Sequence, residues 1–356
     1  MILFILPKFS GGGAERVTIN LLSELKSRNY SVGIIVFDKS GPLLSIIPHN
    51  IPIYNLGTHT LRRSIIPLIR ELRILKPKVI FSTFGYINVI LLLTRKLLLK
   101  KTKIWIREAN LPSISLPNNP YPKLMSFLYK FTYGKSDKLI CTSVKMKDEF
   151  VNNFSINNAI IKILPNPIDV ELVRSLSTTI MRFDNGGTCF VSSGRLTIQK
   201  GFDRLLLWFS MLENKKSTLV ILGDGELKCK LINKVKFLNI QDQVKFLGFC
   251  NNPWQWYAGA DVFLLPSYWE GMPNVVLESL ACGTPVIATS SSGGILEIEQ
   301  QACSGAVTVT HDEAKFLQAM RGVVVHTDLK LRHSLLPHMF QLDSVLNEVE
   351  NLLNDY

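Results

Sequence analysis

Two glutamates, Glu270 and Glu278, stand eight residues apart on either side of a predicted helix start. Pro273 suits a first helical turn and Gly283 a C-terminal cap, so the helix is predicted from about Asn274 to Cys282. Glu270 then lies in the preceding loop and Glu278 one turn into the helix, with the free amides of Asn274 and Val275 between them. Because such amides attract anions, this segment predicts a site with two separately placed carboxylates around a bound anion. A helix that is apolar on most sides argues against Glu278 as a merely solvated residue.

Two cations are predicted to point to the end of one strand. Arg195 follows the apolar run that ends at Ser193, and Lys200 precedes a helix predicted to begin at Gly201. Arginine forks onto phosphoryl oxygens and lysine acts as a point charge, so the pair could neutralise a leaving diphosphate without a metal. Open parallel sheets bind ligands at the carboxyl ends of their strands, which favours this interpretation over two surface cations.

A run of three glycines, Gly11, Gly12 and Gly13, lies between the first predicted strand and the first predicted helix. Bare glycine lets backbone N–H groups approach a phosphate at a helix N-terminus, so a nucleotide diphosphate would suit the loop. A dinucleotide site requires a third glycine where Arg16 stands, although Asp38 keeps that alternative open. A glycine turn that only packs the strand on the helix is the other alternative.

The elements that carry these residues alternate in the order strand, helix, strand. Apolar runs of strand length and helical segments alternate from Met1, and the order begins again after Asn166. The pattern predicts an α/β fold of two Rossmann-like parallel-sheet domains. Their predicted limits are 1–165 for the first domain, 166–175 for a Pro-containing linker, 176–335 for the second and 336–356 for a terminal helix.

Charge is distributed unevenly along the 356 residues. The net charge is +12, and 24 of the 40 Lys and Arg residues, but only 8 of the 28 Asp and Glu residues, lie within 1–165. An anionic partner of the first half is therefore expected: a phosphorylated substrate, an anionic bilayer surface or nucleic acid. The six cysteines form no C-x-x-C pair, which favours a reducing cytoplasm over a disulfide framework or a zinc site.

Two segments, 61–76 and 89–101, mix Leu and Ile with Lys and Arg. Basic amphipathic helices of this kind lie on anionic lipid, and the candidate contacts in the first segment are Arg62, Arg63, Arg70 and Arg73. The alternative is that the apolar residues face the core and the cations are solvated. Nucleic acid is not predicted, because aromatic residues do not interleave with the charge.

Taken together, these motifs resemble the retaining family-four glycosyltransferases over nearly the whole chain. The resemblance rests on the pair Glu270 and Glu278, on the Gly194-Arg195 and Lys200-Gly201 element, and on the N-terminal glycine loop. Three further segments agree in order and spacing: Gly223-Asp224-Gly225, Phe246-Leu247-Gly248-Phe249 and Gly293-Gly294-Ile295-Leu296-Glu297.

The resemblance implies the GT-B architecture, in which two domains face across a cleft, and a nucleotide-sugar donor bound mainly to the second domain. Glu278 would contact the ribose, Arg195 and Lys200 the diphosphate, and Glu270 the transferred sugar. The remaining implied donor contacts are Gly12, Gly13, Leu247, Phe249, Met272, Pro273, Asn274 and Val275. No cofactor and no metal ion are expected. Many members carry a histidine near the sugar where this chain has Arg107, Glu108 and Asn110, so each of these residues is a candidate for that contact.

The sequence therefore predicts a metal-independent hexosyl- or N-acetylhexosaminyl-transferase that retains the configuration of the transferred sugar. A UDP-sugar is the favoured donor, with a GDP-sugar as the alternative. The expected acceptor is a polyprenyl-diphosphate-linked saccharide of cell-surface glycan assembly, such as O-antigen. The expected location is cytoplasmic, peripheral at the anionic inner face of the cytoplasmic membrane. A same-fold sugar-nucleotide epimerase and a non-catalytic nucleotide-sugar-binding protein are the alternatives, whereas a glycoside hydrolase would need both carboxylates at one bond.

Overall fold

A computed structural model describes residues 1–10, 12–328 and 330–354, so Gly11 of the glycine loop lies outside the described residues. The chain divides into two compact units. Unit 1 comprises Met1–Pro167 with Val345–Tyr356, and unit 2 comprises Ile168–Ser344.

Unit 1 is built on a parallel sheet in the order β3-β2-β1-β4-β5-β6-β7. Its strands are β1 (Ile2–Leu6), β2 (Val32–Val36), β3 (Ile53–Asn55), β4 (Val79–Ser82), β5 (Lys103–Arg107), β6 (Lys138–Cys141) and β7 (Ile161–Ile163). Its helices are α1 (Gly13–Ser27), α2 (Leu61–Leu75), α3 (Gly85–Leu93), α4 (Pro112–Ser115), α5 (Pro122–Thr132) and α6 (Val144–Phe154). The direction of the strand order reverses at β1, between β2 and β4, where open parallel sheets bind ligands.

Unit 2 is built on a second parallel sheet in the order β10-β9-β8-β11-β12-β13. Its strands are β8 (Cys189–Ser193), β9 (Thr218–Leu222), β10 (Val244–Gly248), β11 (Val262–Leu265), β12 (Val286–Thr289) and β13 (Val307–Thr310). Its helices are α7 (Val170–Ser175), α8 (Phe202–Ser210), α9 (Lys228–Phe237), α10 (Trp254–Gly259), α11 (Asn274–Ala281), α12 (Ile295–Gln301) and α13 (Glu313–Arg321). The strand order reverses at β8. The prediction of two parallel-sheet α/β domains is therefore confirmed.

The helix α14 (Leu342–Asn354) begins in unit 2 and continues into unit 1. The Arg28 guanidinium, at the C-terminal end of α1, donates hydrogen bonds to Asn347 Oδ1 at 2.8 Å and Glu350 Oε2 at 3.0 Å. These bonds tie the end of α14 to unit 1, a choice that the sequence left open. Residues 166–175, which were predicted as a linker, contain the helix α7, whose N-terminus is capped by Asp169 Oδ1 accepting from the Leu172 amide at 2.8 Å.

Both sheets are buried, as parallel sheets with helices on both faces must be. Every residue of β1, β2 and β4 is buried, and so is every residue of β9, β11 and β12. Such rigid, dry strands fix the loops at their carboxyl ends, which carry the predicted site residues.

The prediction of a basic amphipathic helix over 89–101 is wrong. Helix α3 ends at Leu93, and Arg95–Leu97 form a separate 3₁₀ turn. Val89, Leu91 and Leu92 are buried on α3. Arg95 forms an ion pair with Asp137 at 2.7 Å. In this segment the buried apolar residues belong to α3, Leu93, Leu97 and Leu99 are exposed, and one of the cations has a partner within unit 1.

Candidate active site

The predicted catalytic residues of unit 2 follow two neighbouring strands. Arg195 lies two residues after β8, and Glu270 lies in the loop after β11, which pairs directly with β8. Because β8 and β11 meet where the strand order reverses, their carboxyl ends border the crevice in which such sheets bind ligands. The topology therefore brings together residues that are 75 positions apart in the sequence.

Glu270 and Lys200 form an ion pair at the centre of this region. Lys200 Nζ lies 2.6 Å from Glu270 Oε1, and Ser267 Oγ donates to the same oxygen at 2.7 Å. The Glu270 residue is only 7% exposed. A carboxylate held at one oxygen by a cation and a hydroxyl is fixed in position.

Two glycines, Gly194 after β8 and Gly293 before α12, allow their loops to approach the Lys200–Glu270 ion pair and its backbone. A Cβ atom on Gly194 would lie 3.1 Å from the Lys200 Cδ and Cε atoms, so a larger residue would push the lysine stem aside. A Cβ atom on Gly293 would lie 2.2 Å from the carbonyl oxygens of both Glu270 and Gly271. The Gly294 amide also donates to the Gly271 carbonyl at 2.7 Å. The backbone at Glu270 is thus held from the α12 side as well.

Gln199 and Arg204 connect the Lys200 segment to the Glu270 loop, and sequence reasoning assigned no role to either. The side-chain Nε2 of Gln199 donates to the Trp269 carbonyl at 3.0 Å. The backbone carbonyl of Gln199 accepts from the Tyr268 amide at 2.8 Å. The Arg204 guanidinium donates to the carbonyls of Pro266 at 2.7 Å and Ser267 at 2.6 Å. It also lies over the Tyr268 ring, 4.0 Å from the ring centroid. The only sequence signal for these residues was their position beside the recognised motifs.

Glu278 lies half-buried on α11 and has neighbours different from those of Glu270. Trp254 Nε1 donates to Glu278 Oε2 at 3.2 Å. Helix α11 begins at Asn274, as predicted, and follows a buried Met272 whose side chain packs on Gly294. The two glutamates are therefore held by separate groups, Glu270 in the loop before α11 and Glu278 within the helix.

Arg195, Leu247 and Phe249 are exposed at the carboxyl ends of β8 and β10. Among the described residues, Arg195 forms no ion pair and its guanidinium has no hydrogen-bond partner. Pro273, Asn274 and Val275 occupy the start of α11. The arrangement thus offers one free guanidinium, one paired lysine and a helix start at one sheet edge, which suits a diphosphate.

The unit 1 candidates differ in exposure. Glu108 is buried, and its Oε1 atom accepts from Tyr133 Oη, from Asn88 Nδ2 at 2.9 Å and from Tyr129 Oη at 3.4 Å. Burial raises the pKa of Glu108 to about 7, against the opposing effect of these donors and of Arg107. Asn110 is exposed. Of the three residues predicted at the missing histidine, Arg107 and Glu108 are buried, and only Asn110 presents its side chain to solvent.

Gly12 and Gly13 lie at the start of α1, where the glycine loop was predicted. Gly12 is the N-cap residue and Gly13 the first helical residue. A Cβ atom on Gly12 would lie 2.4 Å from Glu15 Oε2, and Glu15 is buried. The start of α1 therefore packs against the carboxylate of its own Glu15.

The predicted membrane contacts lie on the outer face of α2. Arg62, Arg63, Arg70 and Arg73 are exposed together with Ile66 and Ile74, while Ser64, Leu68 and Leu72 form the buried face. No helix in the described part of the chain is long and apolar enough to cross a membrane.

Comparisons with known proteins agree with the resemblance read from the motifs. Residues 11–172 match the family model Glycosyltransferase Family 4, and residues 179–335 match Glycosyl transferases group 1.

Three known proteins illustrate the match. The N-acetylgalactosamine-N,N'-diacetylbacillosaminyl-diphospho-undecaprenol 4-alpha-N-acetylgalactosaminyltransferase of Campylobacter jejuni is 30% identical over 337 residues, covering 90% of this chain and 88% of the relative. The UDP-Gal:alpha-D-GlcNAc-diphosphoundecaprenol alpha-1,3-galactosyltransferase of Escherichia coli is 27% identical over 56% of this chain and 55% of its own. The crystal structure of Anabaena HepE in complex with UDP superposes over 100% of both chains, with a TM-score of 0.76 and 17% identity. This chain therefore belongs to the family-four glycosyltransferases and has the GT-B fold.

Proposed function

We propose that this protein is a retaining, metal-independent glycosyltransferase that moves a hexosyl or N-acetylhexosaminyl group from a nucleotide diphosphate onto a lipid-linked saccharide. The observation that carries the proposal is the ion pair of Lys200 and Glu270, 2.6 Å apart, at the carboxyl ends of β8 and β11. A lysine has three N–H donors, so Lys200 can hold Glu270 and still donate to a phosphoryl oxygen.

Catalysis in this proposal is positioning together with electrostatic stabilisation. Arg195 and Lys200 stabilise the negative charge that grows on the diphosphate as its bond to the anomeric carbon breaks. The acceptor hydroxyl forms the new bond on the same face, and its proton passes to the departing diphosphate oxygen. Glu270 orients the transferred sugar, and Glu278 with the α11 N-terminus binds the ribose and the diphosphate. In unit 1, Asn110 is the candidate contact for the sugar, and Gly12 with Gly13 for the diphosphate.

The donor class rests on the relatives. The Escherichia coli relative is named as a UDP-Gal transferase, and the Anabaena structure contains UDP. We favour a UDP-sugar here, with a GDP-sugar as the alternative, and Leu247 with Phe249 bordering the base. Thermal unfolding with a panel of UDP- and GDP-sugars tests this choice, because a ligand bound by the folded state raises the unfolding temperature.

The test of the chemistry is a transfer assay in which the product is followed by NMR from the first turnovers. The anomeric configuration of the first product should equal that of the donor, and EDTA should leave the rate unchanged. Glu270→Ala, Lys200→Ala and Arg195→Ala should each lower kcat by about 10²–10³, as loss of one transition-state contact does elsewhere. Glu278→Ala should mainly raise the KM for the donor.

Glu213→Ala, which changes an exposed glutamate of unit 2, is the matched control and should keep full activity. An inverted product would refute retention, and full activity of Lys200→Ala would refute the proposed role of the ion pair.

We further propose that the acceptor is a polyprenyl-diphosphate-linked saccharide and that α2 contacts an anionic membrane surface at the cytoplasmic face. The names of the Campylobacter and Escherichia relatives contain such an acceptor. The four exposed arginines of α2 beside Ile66 and Ile74 suit an anionic interface.

Flotation with vesicles that contain phosphatidylglycerol tests the membrane contact. Changing Arg62, Arg63, Arg70 and Arg73 to Glu should abolish flotation at low salt, because each cation contributes about 1 kcal/mol near an anionic surface. Lys228, Lys230, Lys234 and Lys236 changed to Glu on α9 of unit 2 form the charge-matched control. Equal flotation of both variants would exclude α2 as the membrane contact.

A further inference from the structure

Helix α5 exposes a row of large apolar side chains. Tyr121, Leu124, Phe127 and Phe131 recur at three- or four-residue intervals and are between 54 and 69% exposed. Phe127 and Phe131 stack on each other, with ring centroids 6.1 Å apart. Large apolar residues scattered singly on a surface need no explanation, but a row of four on one helix marks a contact site.

A cavity of about 730 Å³, largely open to solvent, lies beside this row and is lined by residues from the region of α4, α5 and α6. Its volume falls in the range of about 300–1,000 Å³ that is typical of ligand sites. The apolar lining includes Leu116, Pro117, Phe127 and Phe154, and the exposed Lys123 and Lys130 also line it. Helix α5 holds these two lysines and no acidic residue. An apolar cavity lined at its exposed side by cations suits a ligand with an apolar chain and an anionic head.

The cavity lies close to the predicted substrate contact of unit 1. Helix α4 begins at Pro112, which lines the cavity and follows Asn110 by two residues. Consecutive Cα atoms are about 3.8 Å apart, so the lining begins within about 8 Å of Asn110. A molecule whose head lies at the carboxyl end of β5 could therefore place its chain in this cavity.

The row on α5 is continuous with the basic surface of α2. Lys135 Nζ lies 3.9 Å from the Phe131 ring centroid, and the Lys135 carbonyl accepts from Arg95 at 2.7 Å. Arg95 belongs to the 3₁₀ turn Arg95–Leu97, and the Leu97 carbonyl accepts from Arg73 of α2 at 2.9 Å. These contacts link Phe131 of the row to α2, the helix that the proposed function turns to the membrane.

We propose that this cavity binds the apolar chain of the polyisoprenoid diphosphate acceptor, and that Lys123 and Lys130 contact its diphosphate. The inference rests on the proposed acceptor class, and it adds a chain-binding site in unit 1. The affinity for the acceptor should therefore depend on its apolar chain as well as on its diphosphate head. The general anionic surface of a bilayer would not require a cavity.

Calorimetric titration of the full chain with farnesyl diphosphate tests the site. Inorganic diphosphate supplies the head alone, farnesol the chain alone, and phosphatidylglycerol vesicles a bulk lipid surface. Farnesyl diphosphate should bind at least about tenfold more tightly than either part, because burying about two methylene groups already corresponds to about tenfold. Ser126→Trp, which fills the cavity from α5, should weaken farnesyl diphosphate at least about tenfold by removing that burial.

Ser27→Trp on the exposed end of α1 is the matched control and should bind as the wild type does. Phe127→Asp is a second variant at an exposed position, so folding should be kept while a carboxylate faces the bound chain. It should also lose binding, whereas Phe127→Leu should keep it. Unchanged affinity of Ser126→Trp and Phe127→Asp would overturn the proposal. Binding of vesicles without binding of farnesyl diphosphate would overturn it too, in favour of a general membrane contact.

The titration uses no nucleotide sugar and measures no transfer, so the two proposals can fail separately. If the cavity variants bind farnesyl diphosphate normally while transfer proceeds, only the chain site is refuted. If farnesyl diphosphate binds as expected while no sugar is transferred, only the proposed function is refuted.

Discussion

At the residue scale, the two glutamates of the site are held by different chemistry. Glu270 is charge-paired with Lys200 and accepts from a hydroxyl, whereas Glu278 accepts from the indole N–H of Trp254. A charge-paired carboxylate is strongly fixed. This difference agrees with a sugar-orienting role for Glu270 and a ribose-binding role for Glu278.

Ser267→Ala should lower kcat about tenfold with little change in the donor KM. The change removes one of the two groups that fix Glu270 Oε1 and leaves Lys200 in place. Steady-state kinetics measure the effect. Ser192→Ala is the matched control, since its hydroxyl is equally buried but donates to the Leu264 carbonyl at 2.7 Å instead. Equal kcat values for the two variants would show that Ser267 does not position Glu270.

The sequence indicated Glu270, Lys200 and the start of α11, because local signals mark them: a strand end, a proline and a helix start. It could not indicate Ser267 or Arg204 as partners of this loop. Their roles arise where the β8 and β11 loops meet, and that meeting depends on strand order, which no local pattern encodes. The sequence indicated that Glu108 follows a strand end. It could not indicate that Glu108 is buried, because its partners Tyr129 and Tyr133 come from another part of the chain.

At the element scale, the loop between β11 and α11 has its shape because α8 supports it. Arg204 of α8 donates to two successive carbonyls of that loop, and a carbonyl buried without a donor is costly. Three strands of the two sheets lack a clear signal in the sequence. Strands β3, β7 and β13 are short and carry exposed or half-buried residues, so they lack the apolar runs that predicted the central strands.

Arg204→Ala should destabilise unit 2 by about 2 kcal/mol, because hydrogen bonds from a charged group contribute about 1.5–3 kcal/mol. It should also lower kcat, since the freed loop carries Glu270. Urea unfolding and steady-state kinetics measure the two effects. Arg321→Ala, on the exposed end of α13, is the control and should change neither. A stability loss with unchanged kcat would show that Arg204 supports the fold without ordering the site.

At the scale of the whole molecule, the alternation of strands and helices predicted two parallel sheets. The excess of cations in the first half predicts an anionic partner for that half. The order of strands within each sheet was not predictable. The alternation of strands and helices shows that crossovers occur, but it does not show on which side of the sheet each new strand is added. That order decides which strand ends become neighbours, β8 with β11 in unit 2 and β1 with β4 in unit 1. The site therefore follows from topology as much as from motif.

The stability of the molecule should fall as the pH rises through the titration of Glu108. Burial raises the pKa of this carboxyl group from its usual 4.5 to about 7, so between these values the folded state keeps a proton that the unfolded state has lost. The folded state then binds more protons, and raising the pH favours unfolding by up to about 3 kcal/mol.

Urea unfolding of wild type and Glu108→Gln at pH 5 and pH 8 measures this dependence. The side-chain amide introduced by Glu108→Gln cannot ionise and still offers Oε1 to Tyr133, Tyr129 and Asn88. Glu108→Gln should therefore remove the fall in stability with rising pH. The difference in unfolding free energy between the two proteins should shift by about 3 kcal/mol in favour of Glu108→Gln from pH 5 to pH 8. Glu213→Gln, at an exposed position, should follow the wild type at both values. A constant difference between wild type and Glu108→Gln would mean that Glu108 ionises at its ordinary pKa despite its burial.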